Sequence, residues 1–467
     1  MLNLELTKIT EICSAELVCS NSVNFEKIKH QKISGVTIDS RKAGKGFVFV
    51  ASKGERRDGH EFIRDVFEKG AVAVICEHIP EDYEEYPGVF FKVENSIEAL
   101  KTLAREYRRI LGDTVKVVGI TGSVGKTSTK EFVASVLSRH YKVHKTQGNQ
   151  NNQIGVPLEI LSISDDTEVA VLEMGISEFG EMERLSEFAR PDICIITNIG
   201  ECHLENLGDR DGVLKAKTAI FTSMSENGEV ILNGFDDKLC TVGEVNGKKP
   251  FRFGRNIDDV YATDIKDRGL LGSDITVNIA ANPKDSFKVH VPLPGKHMIN
   301  NALTSTMAGI IMGLTTEEII SGIEAVRATS GRSNVIKTDS YILIDDCYNA
   351  NPTSMKAAID MLMIAEGRKV AILGDMFELG TDEAKLHENV GRYAAGSGVE
   401  VIICIGKLAK HMYDGAMSAL MCEKQEIYYF PEKKDFSARK NILCEGDTIL
   451  IKASNGMHFN TILEELK

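Results

Sequence analysis

The chain lacks several features that would set it apart from ordinary globular proteins. Its ten cysteines are scattered, and no two of them form a C-x-x-C pair, so neither a disulfide framework nor a zinc site is indicated. No stretch approaches the roughly 18 consecutive apolar residues of a membrane-spanning helix. The N-terminus carries Glu5 and Glu11 where a signal peptide would have a continuous apolar core. We therefore expect a protein of a reducing compartment, the cytoplasm, that does not insert into membranes.

An excess of positive charge is also missing, since the formal net charge is −13 and the pI is about 5.5. Nucleic acids and anionic membranes select basic surfaces, so neither is expected as the main partner. Any anionic ligand must then be held by a few local cations. The sequence has no repeat of fixed period and no low-complexity segment, and 467 residues are enough for roughly three domains.

The alternation of apolar runs and helical patterns predicts three α/β domains. The first, residues 1–112, is small, with strands at 46–51, 71–76 and 89–93 and helices at 60–69 and 97–111. The second, residues 113–328, is predicted as a central, doubly wound, mostly parallel sheet to which strands between 261 and 293 are appended. The third, residues 329–467, is predicted as an open Rossmann-like sheet with strands at 341–344, 369–373, 399–405 and 448–452. Its Gly-Ser-Gly at 396–398 precedes a strand, which favours a helix-ending turn over a dinucleotide-binding fingerprint.

A glycine-rich stretch at 119–129 lies between an apolar run and a helix predicted at 130–141, as in phosphate-binding loops. Ile120 stands where the usual spacing has its first glycine. In such a loop Lys126 supplies a positive charge and Thr127 a hydroxyl for Mg²⁺. A Gly-Lys-Thr triplet can also be a simple turn, but the strand before it and the helix after it favour nucleotide binding. The predicted ATP-binding residues of the loop are Thr121, Gly122, Ser123, Val124, Gly125, Lys126, Thr127 and Ser128.

Two other apolar runs of the middle domain lead to Glu173 and to His203. Ligands of open α/β sheets lie beyond the carboxyl ends of the strands, so both side chains are expected beside the phosphate loop. A carboxylate suits Mg²⁺, and an imidazole is a less typical ligand. Taken singly, each residue is more often structural, but their shared placement favours a metal site.

Several segments together resemble the Mur ligases of peptidoglycan synthesis, nearly throughout the chain from residue 35. They are T-G-S-V-G-K-T-S-T-K, G-N-Q-N-N-Q-I-G-V-P (148–157), E-M-G-I-S (173–177), N-I-G-E-C-H-L-E-N-L-G (198–208), K-A-K-T-A-I-F (215–221), L-P-G-K-H-M-I-N-N-A-L (293–303), S-G-R (330–332), I-D-D-C-Y-N-A-N-P-T-S-M (344–355) and L-G-D-M-F-E-L-G (373–380). The D-D-C-Y-N-A-N-P-T-S-M motif (345–355), with T-I-D-S-R and G-E-R-R-D-G-H near the N-terminus, resembles the branch of the family that adds D-alanyl-D-alanine to a UDP-N-acetylmuramoyl-tripeptide. Folylpolyglutamate synthetases share the ATP-binding half of the architecture but are not expected to carry this N-terminal part.

The resemblance implies ATP-dependent amide formation through an acyl phosphate, with two Mg²⁺ ions. It implies that Lys126 holds the β- and γ-phosphates, Thr127 and Glu173 one Mg²⁺, and Glu173 and His203 the second. The lysine matching Lys217 is carbamylated in the family, although on sequence alone it resembles a solvated helix lysine beside Lys215. Asn301 matches an adenine contact, Arg332 a γ-phosphate ligand and Asp346 a nucleotide contact. His297 and Asn300 either approach the nucleotide or cap the following helix, and Arg332 and Asp346 could instead be surface and turn residues.

The resemblance also implies substrate-binding residues in all three domains, and a monomer is expected. They are Ser40, Arg41 and Arg56 for the UDP-sugar, Asn149, Asn151 and Asn152 nearer the sugar or peptide, and Tyr348, Asn349 and Asn351. The first three could equally be turn and surface residues, and asparagines favour loops in any protein. Residues 452–458 depart from the pattern of relatives, and whether the third peptide residue is diaminopimelate or lysine stays open. A nucleotide-dependent switch without ligase chemistry is the alternative, but it would not need Glu173, His203 and Lys217 together.

Overall fold

The computed structural model describes residues 2, 4–21, 23–54 and 57–467 and contains three β-sheets that follow one another along the chain. Helices pack on the sheets, so the fold is α/β as expected. None of the helices within these ranges is both long and apolar enough to cross a membrane. The domain boundaries near 112 and 328 stay predictions.

The first sheet has five strands in the order β1-β5-β4-β3-β2, with only the β1–β5 pair antiparallel. Strand β4 and its neighbours are continuous apolar runs because helices cover the sheet. The predicted strands and helices are confirmed, whereas β1, β2, α1 and α2 were not predicted. The elements are α1 (Leu6–Cys13), β1 (Glu16–Cys19), α2 (Phe25–Ile28), β2 (Gly35–Thr37), β3 (Phe47–Val50), α3 (Ile63–Glu68), β4 (Ala73–Cys76), β5 (Val89–Lys92) and α4 (Ser96–Leu111).

The second sheet has nine strands in the order β14-β13-β12-β11-β10-β9-β6-β8-β7. Strands β6 to β12 pair in parallel, and β13 and β14 add antiparallel pairs at one end, which confirms the appended strands. The elements are β6 (Lys116–Thr121), α5 (Lys126–Leu137), β7 (Val143–Lys145), α6 (Gly155–Ile160), β8 (Val169–Glu173), α7 (Glu181–Ala189), β9 (Ile193–Ile196), α8 (Leu204–Leu207), α9 (Arg210–Thr218), β10 (Glu229–Asn233), β11 (Phe251–Gly254), β12 (Val260–Asp267), β13 (Ser273–Ile279), β14 (Phe287–Val291), α10 (Lys296–Ile311) and α11 (Thr316–Glu324).

Helix α5 begins four residues earlier than the pattern predicted. Gly125 takes a left-handed conformation, with φ of +80°, and is the N-cap of the helix. Lys126 and Thr127 therefore belong to the first helical turn. Their backbone N–H groups lie at the positive end of the helix dipole, where anions are favoured.

The third sheet has six strands in the order β15-β16-β20-β17-β18-β19, all parallel except β15. Helix α13 ends at Gly396 and Gly398 has φ of +87°, which confirms the helix-ending turn. The elements are β15 (Asn334–Lys337), β16 (Ile342–Asp345), α12 (Pro352–Met363), β17 (Lys369–Gly374), α13 (Glu383–Gly396), β18 (Val401–Ile405), α14 (Ala409–Met417), β19 (Glu426–Phe430), α15 (Lys433–Ser437), β20 (Thr448–Lys452) and α16 (Asn460–Leu466).

Candidate functional site

A cavity of about 660 Å³ lies where the second sheet meets the third. On one side it is bounded by the loops at the carboxyl ends of β6, β8 and β9, which are neighbours in the sheet. On the other it is bounded by the segments around β16 and the end of β20. The predicted site residues that line it are Ser123, Val124, Gly125, Lys126, Ser128, Asn149, Asn151, Asn152, Glu173, His203, Asn301, Arg332, Asp346, Tyr348, Asn349 and Asn351.

Other predicted site residues do not line this cavity. Thr121, Gly122, Thr127 and Lys217 are buried beneath the surface. Ser40 and Arg41 follow β2 in the first sheet, and the Arg41 guanidinium bonds the Asp39 carboxylate at 2.8 and 2.9 Å. Arg56 lies outside the described residues.

The phosphate loop is held by the segment that follows β9. The backbone N–H groups of Ser123 and Val124 donate to the carbonyl and side-chain oxygens of Asn198, both at 3.0 Å. A Cβ on Gly122 would lie 1.9 Å from Thr197 Oγ1, so only glycine fits. Thr197 and Asn198 were not predicted, although Asn198 opens the N-I-G-E-C-H segment that carries the resemblance. Their contacts hold the loop in this conformation.

Lys126 lies at the centre of this loop. Its ammonium donates to the Gly122 carbonyl at 2.7 Å, and burial lowers its pKa although Glu173 opposes that shift. The N-terminus of α5 is beside it. A cation and a helix N-terminus together make a suitable cradle for phosphate oxygens.

Glu173, at the end of β8, is 2 % exposed and forms a compact polar cluster. Its two carboxylate oxygens accept hydrogen bonds from Thr127 Oγ1 at 2.7 Å and Asn151 Nδ2 at 2.8 Å. Its backbone N–H donates to Thr146 Oγ1 at 2.9 Å. In the described part of the chain no three His, Cys, Asp or Glu side chains converge as a ready metal site. Mg²⁺ is commonly held by one or two carboxylates together with substrate phosphates, so a hydroxyl–carboxylate pair beside a phosphate loop fits this ion.

His203 is oriented by a residue from the third sheet that the sequence did not predict. Its Nδ1 lies 2.8 Å from Glu378 Oε2, and this contact lowers the pKa of the Glu378 carboxyl. Both residues have left-handed backbones, with φ of +53° and +62°. Glu378 lies within the L-G-D-M-F-E-L-G segment, so the resemblance marked the segment but not the residue.

The loop that carries Glu378 is held by two backbone hydrogen bonds to neighbouring side chains. The Met376 N–H donates to His387 Nε2 at 2.9 Å, and the Phe377 N–H donates to Ser454 Oγ at 2.9 Å. His387 is fully buried, and its Nδ1 lies 2.7 Å from the Glu383 carbonyl. Because Nε2 accepts a hydrogen bond, the imidazole is neutral and holds its proton on Nδ1.

The buried imidazole predicts an acid-sensitive contribution to stability. Burial lowers the pKa of His387 below its ordinary value, so below about pH 6.5 the unfolded chain binds more protons at this residue than the folded chain. Its contribution is thus present above the unfolded pKa and is lost as the pH falls. We expect His387→Gln to lower the free energy of unfolding by about 1–3 kcal/mol at pH 7.5, and by less at pH 5. Urea unfolding at both pH values measures this, and an equal loss at both would contradict it.

Lys217 is not the solvated lysine that its sequence context suggested. It is 1 % exposed on α9, whereas Lys215 on the same helix is exposed. Burial lowers its pKa to about 8, with a further lowering from the positive charge of Lys126. Among the described residues it forms no ion pair with a carboxylate. The neutral form of this amine is therefore far more accessible near neutral pH than that of an exposed lysine, although it remains the minor form.

On the opposite side of the cavity, Arg332 stacks on Tyr348, with its guanidinium carbon 3.9 Å from the ring centroid. Asp346 accepts a hydrogen bond from Lys452 Nζ at 2.6 Å and another from the Ser333 N–H at 2.9 Å. The buried Lys452 also reaches the Asn349 carbonyl at 2.9 Å. Although the segment from 452 departs from the family pattern, its first residue is integrated into this wall of the cavity.

The polar residues of the remaining wall have several roles. Asn301 Oδ1 accepts from Thr129 Oγ1 at 2.9 Å. The side-chain oxygens of Asn152 and Asn351 accept hydrogen bonds from backbone N–H groups at the starts of α6 and α12. These contacts are the kind of structural role that asparagines in loops have in any protein. Of the two alternatives for His297 and Asn300, capping is excluded, because the N-cap of α10 is Gly295 and both residues lie within the helix and line the cavity.

Comparisons with known proteins agree with this geometry. The profile of the Mur ligase family catalytic domain matches residues 32–108, that of the Mur ligase middle domain 120–309, and that of the Mur ligase glutamate ligase domain 331–455. The UDP-N-acetylmuramoyl-tripeptide–D-alanyl-D-alanine ligase of Bacillus subtilis is 37 % identical over 457 residues, which cover 97 % of both chains. The protein of the same name from Escherichia coli is 32 % identical over 100 % of this chain and 99 % of its own.

Solved structures are similar over the same length. A crystal structure of MurF from Acinetobacter baumannii superposes with a TM-score of 0.85 at 29 % identity and covers 99 % of this chain and 98 % of its own. MurF from Thermotoga maritima in complex with ADP has a TM-score of 0.78 at 29 % identity, with 92 % and 96 % covered. The chain therefore belongs to the Mur ligase family of ATP-dependent ligases.

Proposed function

We propose that this protein joins D-alanyl-D-alanine to UDP-N-acetylmuramoyl-tripeptide with consumption of ATP, as a monomer in the cytoplasm. The observation that carries this proposal is the cavity in which the phosphate loop, Glu173 and His203 face Arg332 and Asp346. Relatives that share 37 % and 32 % of their residues with it over almost the full length bear the name of this activity. One chain supplies both walls of the cavity, which supports a monomer as the active form.

The reaction joins a carboxylate to an amine, and the carboxylate must first acquire a leaving group. Its oxygen takes the γ-phosphoryl group of ATP and ADP departs. The amine of D-alanyl-D-alanine then attacks the acyl carbon, and phosphate leaves as the amide forms and the amine loses a proton. Lys126 and Arg332 offset the negative charge of the phosphoryl group from opposite walls, which is the main contribution a protein makes to such transfers.

Mg²⁺ would be held by Thr127, Glu173 and His203, in a set completed by phosphate oxygens. Bound there, two such ions would neutralise charge that otherwise keeps the γ-phosphate and the attacking carboxylate apart. The chain's own contribution is to fix the ligands. Thr146 and Asn151 hold Glu173 from its backbone and its side chain.

We assign Lys217 as the site of a carbamate formed with CO₂. Carbamate formation requires a neutral amine, and the burial that lowers its pKa to about 8 supplies one. The product is an anion, so it would replace the charge repulsion between Lys126 and Lys217 with attraction. A carbamate oxygen could then join Glu173 and His203 in holding the second Mg²⁺.

The substrate assignments extend over three proposed domains, 1–112 for the UDP-sugar, 113–328 for ATP and 329–467 as the C-terminal ligase domain. Ser40 and Arg41, on the first of these, would contact the UDP-sugar. Asn149 and Asn151 would approach the sugar or peptide from the ATP-binding domain. We assign Arg332 to the γ-phosphate, and Tyr348 supports its guanidinium by stacking against it. Asn301 lies at the proposed adenine site.

The assay that tests the proposed function measures ADP and phosphate release with each substrate omitted in turn. We expect release only when ATP, the UDP-muramoyl tripeptide and D-alanyl-D-alanine are all present. Tripeptides ending in diaminopimelate and in lysine should be compared in parallel. Equal hydrolysis without D-alanyl-D-alanine would instead support a nucleotide-dependent switch.

Arg332→Ala should reduce both turnover and ligand-dependent compaction. The nucleotide site is divided between the second and third sheets, and ligands shift a conformational equilibrium only through contacts that differ between its states. Small-angle scattering should show a smaller radius of gyration for the wild type with UDP-muramoyl tripeptide and a non-hydrolysable ATP analogue, and less compaction for the variant. Arg327→Ala, an exposed arginine five residues earlier, is the control. Full activity with an unchanged scattering profile would contradict the assignment.

A further inference from the structure

We propose that Glu378 is a positioning residue for His203, and that their contact couples docking of the third sheet to the geometry of the phosphate loop. This inference rests on the proposed function and concerns a residue to which that function assigns no role. Glu378 belongs to the loop after β17, whereas His203 immediately precedes α8 on the second sheet. The pair therefore joins the second and third sheets at the cavity that both residues line.

The contact determines which nitrogen of His203 is left without a protein partner from Glu378. Glu378 Oε2 lies 2.8 Å from Nδ1, and a carboxylate at this distance holds the ring proton on Nδ1. Nε2 then keeps a lone pair and can act as a ligand. Both residues have a left-handed backbone, which histidine adopts more often than most residues and glutamate adopts rarely, and their side chains meet in this conformation.

The support behind Glu378 is rigid. Hydrogen bonds from Met376 to His387 and from Phe377 to Ser454 fix the two residues before it. Just after it, a Cβ on Gly380 would lie 3.5 Å from the Glu205 nitrogen, so the loop packs directly on the start of α8. The loop thus presents Glu378 as part of a surface that contacts α8.

The segment 198–207, which we call the bridging segment, connects this contact to the phosphate loop. At one end Asn198 accepts the N–H groups of Ser123 and Val124, and the Gly200 N–H donates to Ser123 Oγ at 2.8 Å. At the other end are His203 and α8. A Cβ added to Gly200 would lie 3.2 Å from Thr353 Oγ1 in the first turn of α12. Gly200 therefore packs closely against a second element of the third sheet's side. Movement of the third sheet would therefore change contacts at both ends of the bridging segment.

The energetics favour a functional over a stabilising role. The Glu378 side chain is 64 % exposed, and ion pairs this open to solvent contribute little to stability. In contrast, loss of a hydrogen-bonded partner behind a histidine ligand typically lowers metal affinity or activity about 10- to 100-fold. A variant at 378 should therefore fold normally and fail in catalysis.

The test compares Glu378→Ala with Glu378→Gln, whose amide oxygen can still accept the Nδ1 proton. We expect kcat to fall about tenfold in the alanine variant, with the KM for the UDP-muramoyl tripeptide unchanged, and to recover largely in the glutamine variant. The exposed Asp382, four residues along the same loop, provides the control Asp382→Asn. Calorimetry with Mg²⁺ and ADP should show affinity reduced for the alanine variant alone. Wild-type kcat and Mg²⁺–ADP affinity in Glu378→Ala would overturn the proposal, as would a loss that the glutamine variant shares in full.

A double-mutant cycle separates failure of this inference from failure of the proposed function. If Glu378 acts through His203, combining Glu378→Ala with His203→Ala should cost no more than His203→Ala alone. A large loss for His203→Ala with no loss for Glu378→Ala would overturn the positioning role and leave the proposed function intact. Full activity of His203→Ala would contradict the metal assignment itself. Additive losses would show that Glu378 acts elsewhere.

Discussion

Lys126→Ala should lower turnover by a factor on the order of 10²–10³ while the protein stays folded. The side chain supplies the positive charge within the loop, and its hydrogen bond to the Gly122 carbonyl is replaceable by water. The affected step is acyl-phosphate formation. It can be measured directly by trapping the intermediate or by isotope exchange between ADP and ATP.

Lys142→Ala provides the control, because Lys142 lies beyond the other end of α5 and pairs with Asp166 at the surface. It should have wild-type kinetics. Circular dichroism and thermal unfolding should show that both variants are folded. Near-normal turnover of Lys126→Ala would contradict the assignment of this segment as a phosphate-binding loop.

Lys217→Ala should lose activity by a factor on the order of 10² and regain part of it in acetate. The alanine leaves a buried space where the lysine is now 1 % exposed, and a short carboxylate can place its charge where the carbamate is proposed. Lys215→Ala, an exposed lysine two residues away on the same helix, is the matched control and should respond to neither change. Kinetics with and without acetate, and with wild-type enzyme depleted of CO₂, measure the effect.

A direct spectroscopic observation would complement these kinetics. Wild-type protein equilibrated with ¹³C-labelled bicarbonate should give a carbamate carbonyl signal that Lys217→Ala lacks and Lys215→Ala retains. Lys217 would be reassigned as a structural buried amine if the signal were absent and neither CO₂ depletion nor the alanine substitution altered turnover.

The local chemistry of the site was readable from the sequence because it resides in contiguous segments. The spacing of Gly122, Gly125 and Lys126 predicts a phosphate loop whatever the remaining fold, since the conformation depends on neighbouring residues. Glu173 was predicted because it follows a short apolar run typical of a buried strand, and open α/β sheets bind their ligands beyond the carboxyl ends of the strands. The appended strands β12 to β14 were likewise evident from the alternation of Ile275, Val277 and Ile279.

The sequence by itself therefore determined the classes of the three sheets, the phosphate loop and the family, all of which depend on local pattern or on residues close in the chain. Only the tertiary structure decided that Lys217 is buried, that Asn198 holds the loop, and that Glu378 orients His203. These facts involve residues about 74 to 175 positions apart, such as the Val124–Asn198 and His203–Glu378 pairs. Periodicity reports which face of an element is apolar, but it carries no information about which distant loop that face meets. Burial of a lysine and pairing of a histidine across two sheets follow from how the sheets pack, and that packing sets the pKa and the orientation on which the chemistry depends.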